Sequence, residues 1–457
     1  MSRVALIGDN SVEYVNQLLD IWNNGDCAVL LDWQLPFESM YQMMLEANVT
    51  VCYIERRLLE KVNVPEGAPI LFRNFDVLTC GSQLLPKITY EKYHENNSCD
   101  EAVILYSSGT TGKSKGIILS HFAISINADA ILDYMRLNSH DCLYIAKSLS
   151  HSSTLTGELL VALKSRTSVV ISPTIVPPRY VLNQIEKINV TTLCINPTLM
   201  RMYADEYCRK KYLINSLKTI YVSGSILNDR VYAYAHNTFS NVDIFNVYGL
   251  SESGPRVSAQ TIKGSKNNSV GKPIKNVEVV IVDENGKPVP NGERGIIHVN
   301  TPSRFLGYVS GTEKHQSLYN NWLNTGDIGF IDEQDEIHVV NRVDDMIICN
   351  AHKIYPQDVE KIILEIDGIS ECVVAKCICD DVETIGCLYV SNTDHAVSIL
   401  RYLKKFLMPY EIPRHSIRTN SIPYNTRGKV NKKEIEEMLR IHIEENRTPL
   451  QKRNRNQ

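Results

Sequence analysis

The stretch Ile104-Leu-Tyr-Ser-Ser-Gly-Thr-Thr-Gly-Lys-Ser-Lys-Gly-Ile-Ile-Leu-Ser-His121 is the segment best suited to phosphate chemistry. An apolar run that reads as a strand enters a loop of Gly, Ser and Thr carrying two lysines, so backbone N–H groups, hydroxyls and ammonium groups can converge on one polyphosphate. It is not a Walker A loop, whose first glycine would stand five residues before Gly112, where the chain has Ser107. No turn needs so many small, hydroxylic and basic residues together. Ser107, Ser108, Gly109, Thr110, Thr111, Gly112 and Lys115 are therefore the first candidates for an anion cradle.

Such groups need a scaffold. From Val4 to about Ser172, short apolar runs (Val4 to Ile7, Cys27 to Leu31, Val51 to Ile54) alternate with helical patterns (Val12 to Trp22, Met40 to Leu45). This is the βαβ rhythm of a parallel sheet covered by helices. It resumes at Ser168 to Ile171, Thr191 to Ile195, Thr219 to Val222 and Val242 to Val247. After Ser269 the texture becomes strands punctuated by Gly and Pro, as in Val277 to Val282 and Ile296 to Asn300, which predicts an antiparallel β module. Beyond Arg342 a small α+β unit is expected, with strands at Glu371 to Cys379 and Thr384 to Val390 and helices at Pro356 to Leu364, Ala396 to Phe406 and Asn431 to Glu444. The fold class is α/β: a large body of doubly wound sheets with a β module, 1–343, a small mobile α+β domain, 344–445, and a disordered tail, 446–457.

The 457 residues suffice for two or three domains with sizeable cores. With 48 Lys and Arg against 52 Asp and Glu there is no broad basic field for nucleic acid or an anionic membrane. No apolar run approaches a membrane span, and the N-terminal one is too short for a signal core, so a cytoplasmic protein is expected. The 12 cysteines are spread along the chain as reduced thiols are. Cys372, Cys377, Cys379 and Cys387 lack the paired C-x₂-C knuckles of a zinc site and read as buried thiols.

The phosphate loop resembles that of the adenylate-forming enzymes, which include acyl- and aryl-CoA synthetases, peptide-synthetase adenylation domains and luciferases. Four further segments agree in order. Tyr248-Gly-Leu-Ser-Glu252 is similar to the family's Tyr-Gly-x-Thr-Glu, and Thr325-Gly-Asp327 to its Thr-Gly-Asp; Asn341-Arg-Val-Asp-Asp345 is similar to its hinge, and Pro423-Tyr-Asn-Thr-Arg-Gly-Lys429 to its C-terminal lysine motif. The resemblance runs from about Val4 to about Leu439, closest to the acyl/aryl-CoA ligase branch.

It implies ATP, Mg²⁺ and a thiol acceptor, either coenzyme A or the phosphopantetheine of a carrier protein acting in trans. Lys429 would bridge the carboxylate and α-phosphate, Ser251 would donate to the α-phosphate, and Glu252 would hold Mg²⁺. Thr110, Thr111 and Lys115 would hold the β- and γ-phosphates. Asp327 would accept the ribose hydroxyls, with Arg342 donating from the other side. Tyr248, Asn246, Gly249 and the strip Ser223-Gly224-Ser225 would receive the adenine. His151, in Lys147-Ser-Leu-Ser-His-Ser-Ser-Thr154, stands where the CoA-synthetase branch has its histidine. With Ser152, Asn196 and Gly254 it implies a pocket for a small plain carboxylic acid, aryl or aliphatic, rather than an α-amino acid. Asp344 falls at the hinge, and Asn350 and Ala351 fall on the thiol channel, where the family has glycine at the position of Ala351. The phosphate loop begins earlier than is usual for the family, so the N-terminal subdomain reads as abbreviated, its edge open to a partner or a second copy of the chain. The rival readings are loading of a carrier protein, transfer of the adenylate to an amine or its oxidation, and a nucleotide-binding protein without catalysis.

Overall fold

The computed structural model describes residues 1–78, 81–107, 114–227, 229–261, 269–311, 319–320, 322–349, 352–379, 382–424 and 430–445. Among them, ten cysteines are in no disulfide, and no helix is long and apolar enough to cross a membrane. The chain divides into two compact units, Met1–Thr325 with Phe330–His338, and Gly326–Gly329 with Val339–Gln457.

The first unit holds two large sheets. Seven strands lie in the order Gly307–Tyr308, Lys115–Ser120, Glu101–Ser107, Cys27–Leu31, Arg3–Ile7, Val51–Glu55 and Leu71–Phe75. The last five are mutually parallel, whereas Lys115–Ser120 turns back antiparallel on Glu101–Ser107. Cys27–Leu31 is buried at every position, as a strand covered on both faces must be, which is why it reads as an unbroken apolar run. The helix Val12–Asn23 buries Val12, Val15, Leu18 and Leu19 along one stripe. Its start is fixed by the Ser11 side chain, which accepts from the Tyr14 N–H at 3.0 Å.

The second sheet runs Lys272–Pro273, Arg256–Ala259, Asp243–Gly249, Thr219–Val222, Thr192–Ile195, Cys142–Ile145, Ser168–Ile171 and Gln83–Leu84, with the five central strands from Asp243–Gly249 to Ser168–Ile171 parallel. Parallel strands put all their carboxyl ends on one edge, where open α/β sheets bind ligands. A further four-stranded sheet comprises Glu278–Val282, Gly295–Asn300, Leu323–Ile331 and Ile337–Arg342. Its first two strands pair antiparallel, as their turn-rich sequence predicts.

In the second unit the strands Ile369–Cys379, Val382–Ser391 and His415–Thr419 form a sheet whose alternation separates two cores. Cys372, Val374, Ile385, Cys387 and Tyr389 meet Val359 and Ile363 of the helix Pro356–Ile363 and Ile399 and Leu403 of Ala396–Leu403. Val373, Ala375, Cys377 and Leu388 meet Ile435, Leu439 and Ile443 of Lys432–Glu445. Cys372, Cys377 and Cys387 are in no disulfide and are buried in these two cores.

Candidate nucleotide and acid site

The carboxyl edge of the second sheet gathers candidates from four strands. Lys147 follows Cys142–Ile145 by two residues, Asn196 follows Thr192–Ile195, Ser223 follows Thr219–Val222, and Asn246, Tyr248 and Gly249 end Asp243–Gly249. Asn196 caps the helix Pro197–Arg209, its Oδ1 accepting from the Leu199 N–H at 2.8 Å. Beside it Gly224 has φ 96°, a left-handed conformation that favours glycine even though a Cβ would come no closer than 3.9 Å to the Asn196 Cβ. Ser223 is buried, whereas Gly224 and Ser225 are exposed at the strand end. Asn246 is buried and fixed from two sides: its N–H donates to Gln260 Oε1 at 2.8 Å and its Nδ2 donates to the Ser269 carbonyl at 3.0 Å. Tyr248 is half-buried beyond it. Gly249 is required by close approach, since a Cβ there would collide with the Pro255 carbonyl.

The chain then turns through Ser251–Ser253, and here the two halves of the predicted site meet. Ser251 Oγ lies 2.8 Å from Ser152 Oγ, so the residue assigned to the α-phosphate touches one assigned to the acid pocket. Ser152 opens a helical run just after His151. The half-buried His151 anchors that start, its N–H donating to the Ser148 carbonyl at 3.2 Å and its carbonyl accepting from the Leu155 N–H at 2.8 Å. Gly254, also left-handed at φ 91°, packs on Ser303.

Ser107 and Lys115 are paired across the strands that flank the phosphate loop. The Lys115 ammonium sits 5.6 Å from the centre of the Tyr308 ring, and the Tyr308 hydroxyl donates to Glu252 Oε1 at 2.9 Å. Phe305 holds the arrangement, its N–H donating to the Glu252 carbonyl at 2.9 Å and its ring meeting Tyr308 edge-on at 5.0 Å. Ser108, Gly109, Thr110, Thr111, Gly112, Asn350, Ala351 and Lys429 lie outside the described residues.

In the second unit, Asp327 is buried, and its Oδ1 lies 3.3 Å from Nη1 of Arg342. The two candidates for the ribose thus pair directly. Asp344 is exposed in the turn Val343–Asp345, while its neighbour Asp345 pairs with Lys432 at 2.7 Å.

Sequence reasoning missed two features. Tyr308 stands in a two-residue strand without a motif, and nothing in its neighbourhood announces a link between Lys115 and Glu252. Glu158 and Arg256 are buried charges near half-buried Lys147, whose Nζ lies 3.0 Å from Glu158 Oε1. The signal was legible: Glu158 interrupts the apolar run Leu155-Thr-Gly-Glu-Leu-Leu-Val-Ala-Leu163. Burial pushes the Glu158 carboxyl up to about 7 despite the two cations.

A loop flanked by Ser107 and Lys115, a carboxylate oriented by Tyr308, and Ser152 meeting Ser251 are consistent with an adenylate-forming ligase. The chain belongs to the AMP-binding enzyme family, whose model matches residues 1–309. It is 25% identical to the fatty acid–[acyl-carrier-protein] ligase ScoC of Streptomyces coeruleorubidus, covering 95% of this chain and 86% of that protein. Feruloyl-CoA synthase of an Amycolatopsis species is likewise 25% identical, over 95% of this chain and 88% of that one. Against bacitracin synthase 3 of Bacillus licheniformis the identity is 24% over 95% of this chain, which spans only 7% of that protein's length. ATP-bound MatB from Rhodopseudomonas palustris shares the fold with a TM-score of 0.84 and 23% identity, covering 97% of this chain and 89% of that one.

Proposed function

We propose that this chain activates a small carboxylic acid with ATP and transfers the acyl group to coenzyme A. A carboxylate oxygen attacks the α-phosphorus of ATP, the bond to the bridging oxygen of pyrophosphate breaks, and acyl-adenylate forms. A thiol then attacks the acyl carbonyl, its proton leaves, and AMP departs with the electrons of the cleaved mixed-anhydride bond. The observation that carries this reading is the series Lys115, Tyr308, Glu252, which joins the flank of the phosphate loop to a fixed carboxylate one residue from Ser251.

The first step brings two anions together, so the protein must supply donors and cations aimed at the charge that develops. Lys115 serves the terminal phosphates and Ser251 the α-phosphate; Lys429 serves both reacting groups. One well-oriented carboxylate fits Mg²⁺, which keeps few protein ligands and shares phosphate oxygens, and Glu252 would hold it; bound there, the ion would offset phosphate charge. Asn246, its Nδ2 committed to Ser269, would present Oδ1 to the amino group of adenine. Asp327, neutralised in part by Arg342, would accept the ribose hydroxyls. His151 in place of an aspartate favours a plain acid over an α-amino acid. Residues 344–445 act as the lid, with Asp344 at its hinge, and the protein works in the cytoplasm.

Loading of a separate carrier protein is the second reading, supported by the similarity to ScoC, which is named for that acceptor. Carboxylate-dependent ATP–pyrophosphate exchange over aryl, aliphatic and amino acids, followed by thioester detection with coenzyme A, tests both. Exchange with thioester supports the first reading and exchange without it the second. No exchange over the panel sinks the adenylation reading.

A further inference from the structure

A cavity of about 450 Å³ opens in the first unit beside Trp22, Tyr93, Glu95 and His121, within the size range of small-molecule sites. It lies away from the phosphate loop. Glu101 is paired with Ser120 at one end of two antiparallel strands, and Ser107 with Lys115 at the other. Six residues at strand rise put the loop about 20 Å from the end where the cavity opens. His121 follows Ser120 directly, and the Trp22 indole N–H donates to the Ala102 carbonyl at 2.9 Å, so both rings belong to that far end. Three elements hold the wall. Asn23, closing the helix Val12–Asn23, donates its Nδ2 to the Lys92 carbonyl at 3.0 Å. Ser125, of the helix His121–Met135, donates its hydroxyl to Glu95 Oε1 at 3.0 Å, and Lys164, of Val161–Ser165, pairs with the same carboxylate.

What the cavity offers is ring surface and negative charge. With its N–H spent on Ala102, Trp22 has no donor left, and its ring meets that of His121 edge-on with centres 5.9 Å apart. Burial holds His121 below its ordinary value despite the charge of Asp100, so the imidazole adds no cation at neutral pH. Tyr93 is half-buried, and burial together with the charges of Glu95 and Asp129 pushes its hydroxyl up, so the ring stays neutral in a negative field. The cations nearby are already answered: the buried Lys164 ammonium lies between Glu95 and Asp129, 2.9 Å from the latter, and Lys92 pairs with Asp20 at 3.0 Å. Asp100 beside His121 completes an acidic surplus. Such a surplus repels anions, and aromatic faces attract cations through the ring quadrupole. We propose that this cavity binds a small organic cation, its ammonium group seated against the rings of Trp22, Tyr93 and His121 with Glu95 as counter-charge. The site is separate from the adenylation chemistry and does not rest on it.

The test is calorimetry of the full chain with choline as the probe, set against the neutral isostere in which a tert-butyl group replaces the trimethylammonium. Choline should bind saturably at one site per chain, and the isostere about tenfold or more weaker. Tyr93→Ala should weaken choline by about tenfold, with Tyr93→Phe close to wild type because the ring remains. Glu95→Gln should weaken choline and leave the isostere unchanged; Lys164 keeps Asp129 as its partner in that variant. No saturable choline binding up to about 10 mM, or equal affinity for the isostere, overturns the proposal, as does wild-type affinity in Tyr93→Ala. Should Tyr93→Ala not fold, the isostere comparison and Glu95→Gln decide. These readouts need no turnover: absence of pyrophosphate exchange would sink the adenylation reading alone, and absence of choline binding would sink the cation site alone.

Discussion

Glu158 ties stability to pH in a way that one substitution isolates. Its carboxyl is fully buried and titrates at about 7 in the folded chain against an ordinary 4.5. Between those values the native state keeps a proton that the unfolded chain has lost, so stability falls as pH rises. The contribution is fully present below about pH 4.5 and lost as pH passes through about 7. At about 1.4 kcal/mol per pH unit the loss across the window is about 3 kcal/mol. Glu158→Gln cannot ionise and should lack this component, whatever its absolute stability beside Lys147. His121 and His298, which burial holds below their ordinary value, push in the opposite direction, but they are common to both proteins and cancel in the difference. Urea unfolding followed by tryptophan fluorescence reads the relevant unit, because Trp22, Trp33 and Trp322 all fall within Met1–Thr325. The wild-type minus variant stability should fall by about 3 kcal/mol between about pH 4.5 and pH 7. Parallel profiles would refute the reasoning, showing that Glu158 is ionised throughout.

Removing the Tyr308 hydroxyl leaves the ring beside Lys115 and takes away its hydrogen bond to Glu252 Oε1. Tyr308→Phe should therefore lower the adenylation kcat/KM on the order of tenfold or more, as loss of a hydrogen bond to a charged group does, with melting temperature nearly unchanged. Exchange kinetics that match wild type would exclude that role. Lys429→Ala should nearly abolish adenylate formation while ATP binding, measured by calorimetry, persists; Asp327→Ala should weaken that binding. Equal loss of ATP affinity in both would contradict the division of roles. Ala351→Gly should speed thioester formation without altering pyrophosphate exchange, and single-turnover rates of the two half-reactions decide it.

The periodic elements were legible because hydrophobic period reports burial directly. The helix read at Val12 to Trp22 is found at Val12–Asn23, and the strand read at Val51 to Ile54 is Val51–Glu55. Boundaries moved where local contacts decide them: the helix expected through Phe406 ends at Leu403, after which Lys405 and Phe406 close turns onto the carbonyls of Tyr402 and Leu403. The π-helical turn at Leu155–Leu160 left no mark in the pattern, since an inserted residue in a helix shifts the register without changing composition.

By itself the sequence determined the α/β class and singled out the candidate phosphate loop and the motif residues Glu252, Asp327 and Arg342, because each depends on residue type at short spacing. Only the tertiary structure decided which of these residues meet. Ser152 and Ser251 stand 99 residues apart and touch. Tyr308 reaches Glu252 from 56 residues away. The charge of Arg256 acts on Glu158 because a strand and a helix, each folded for its own hydrophobic reasons, converge on one interior.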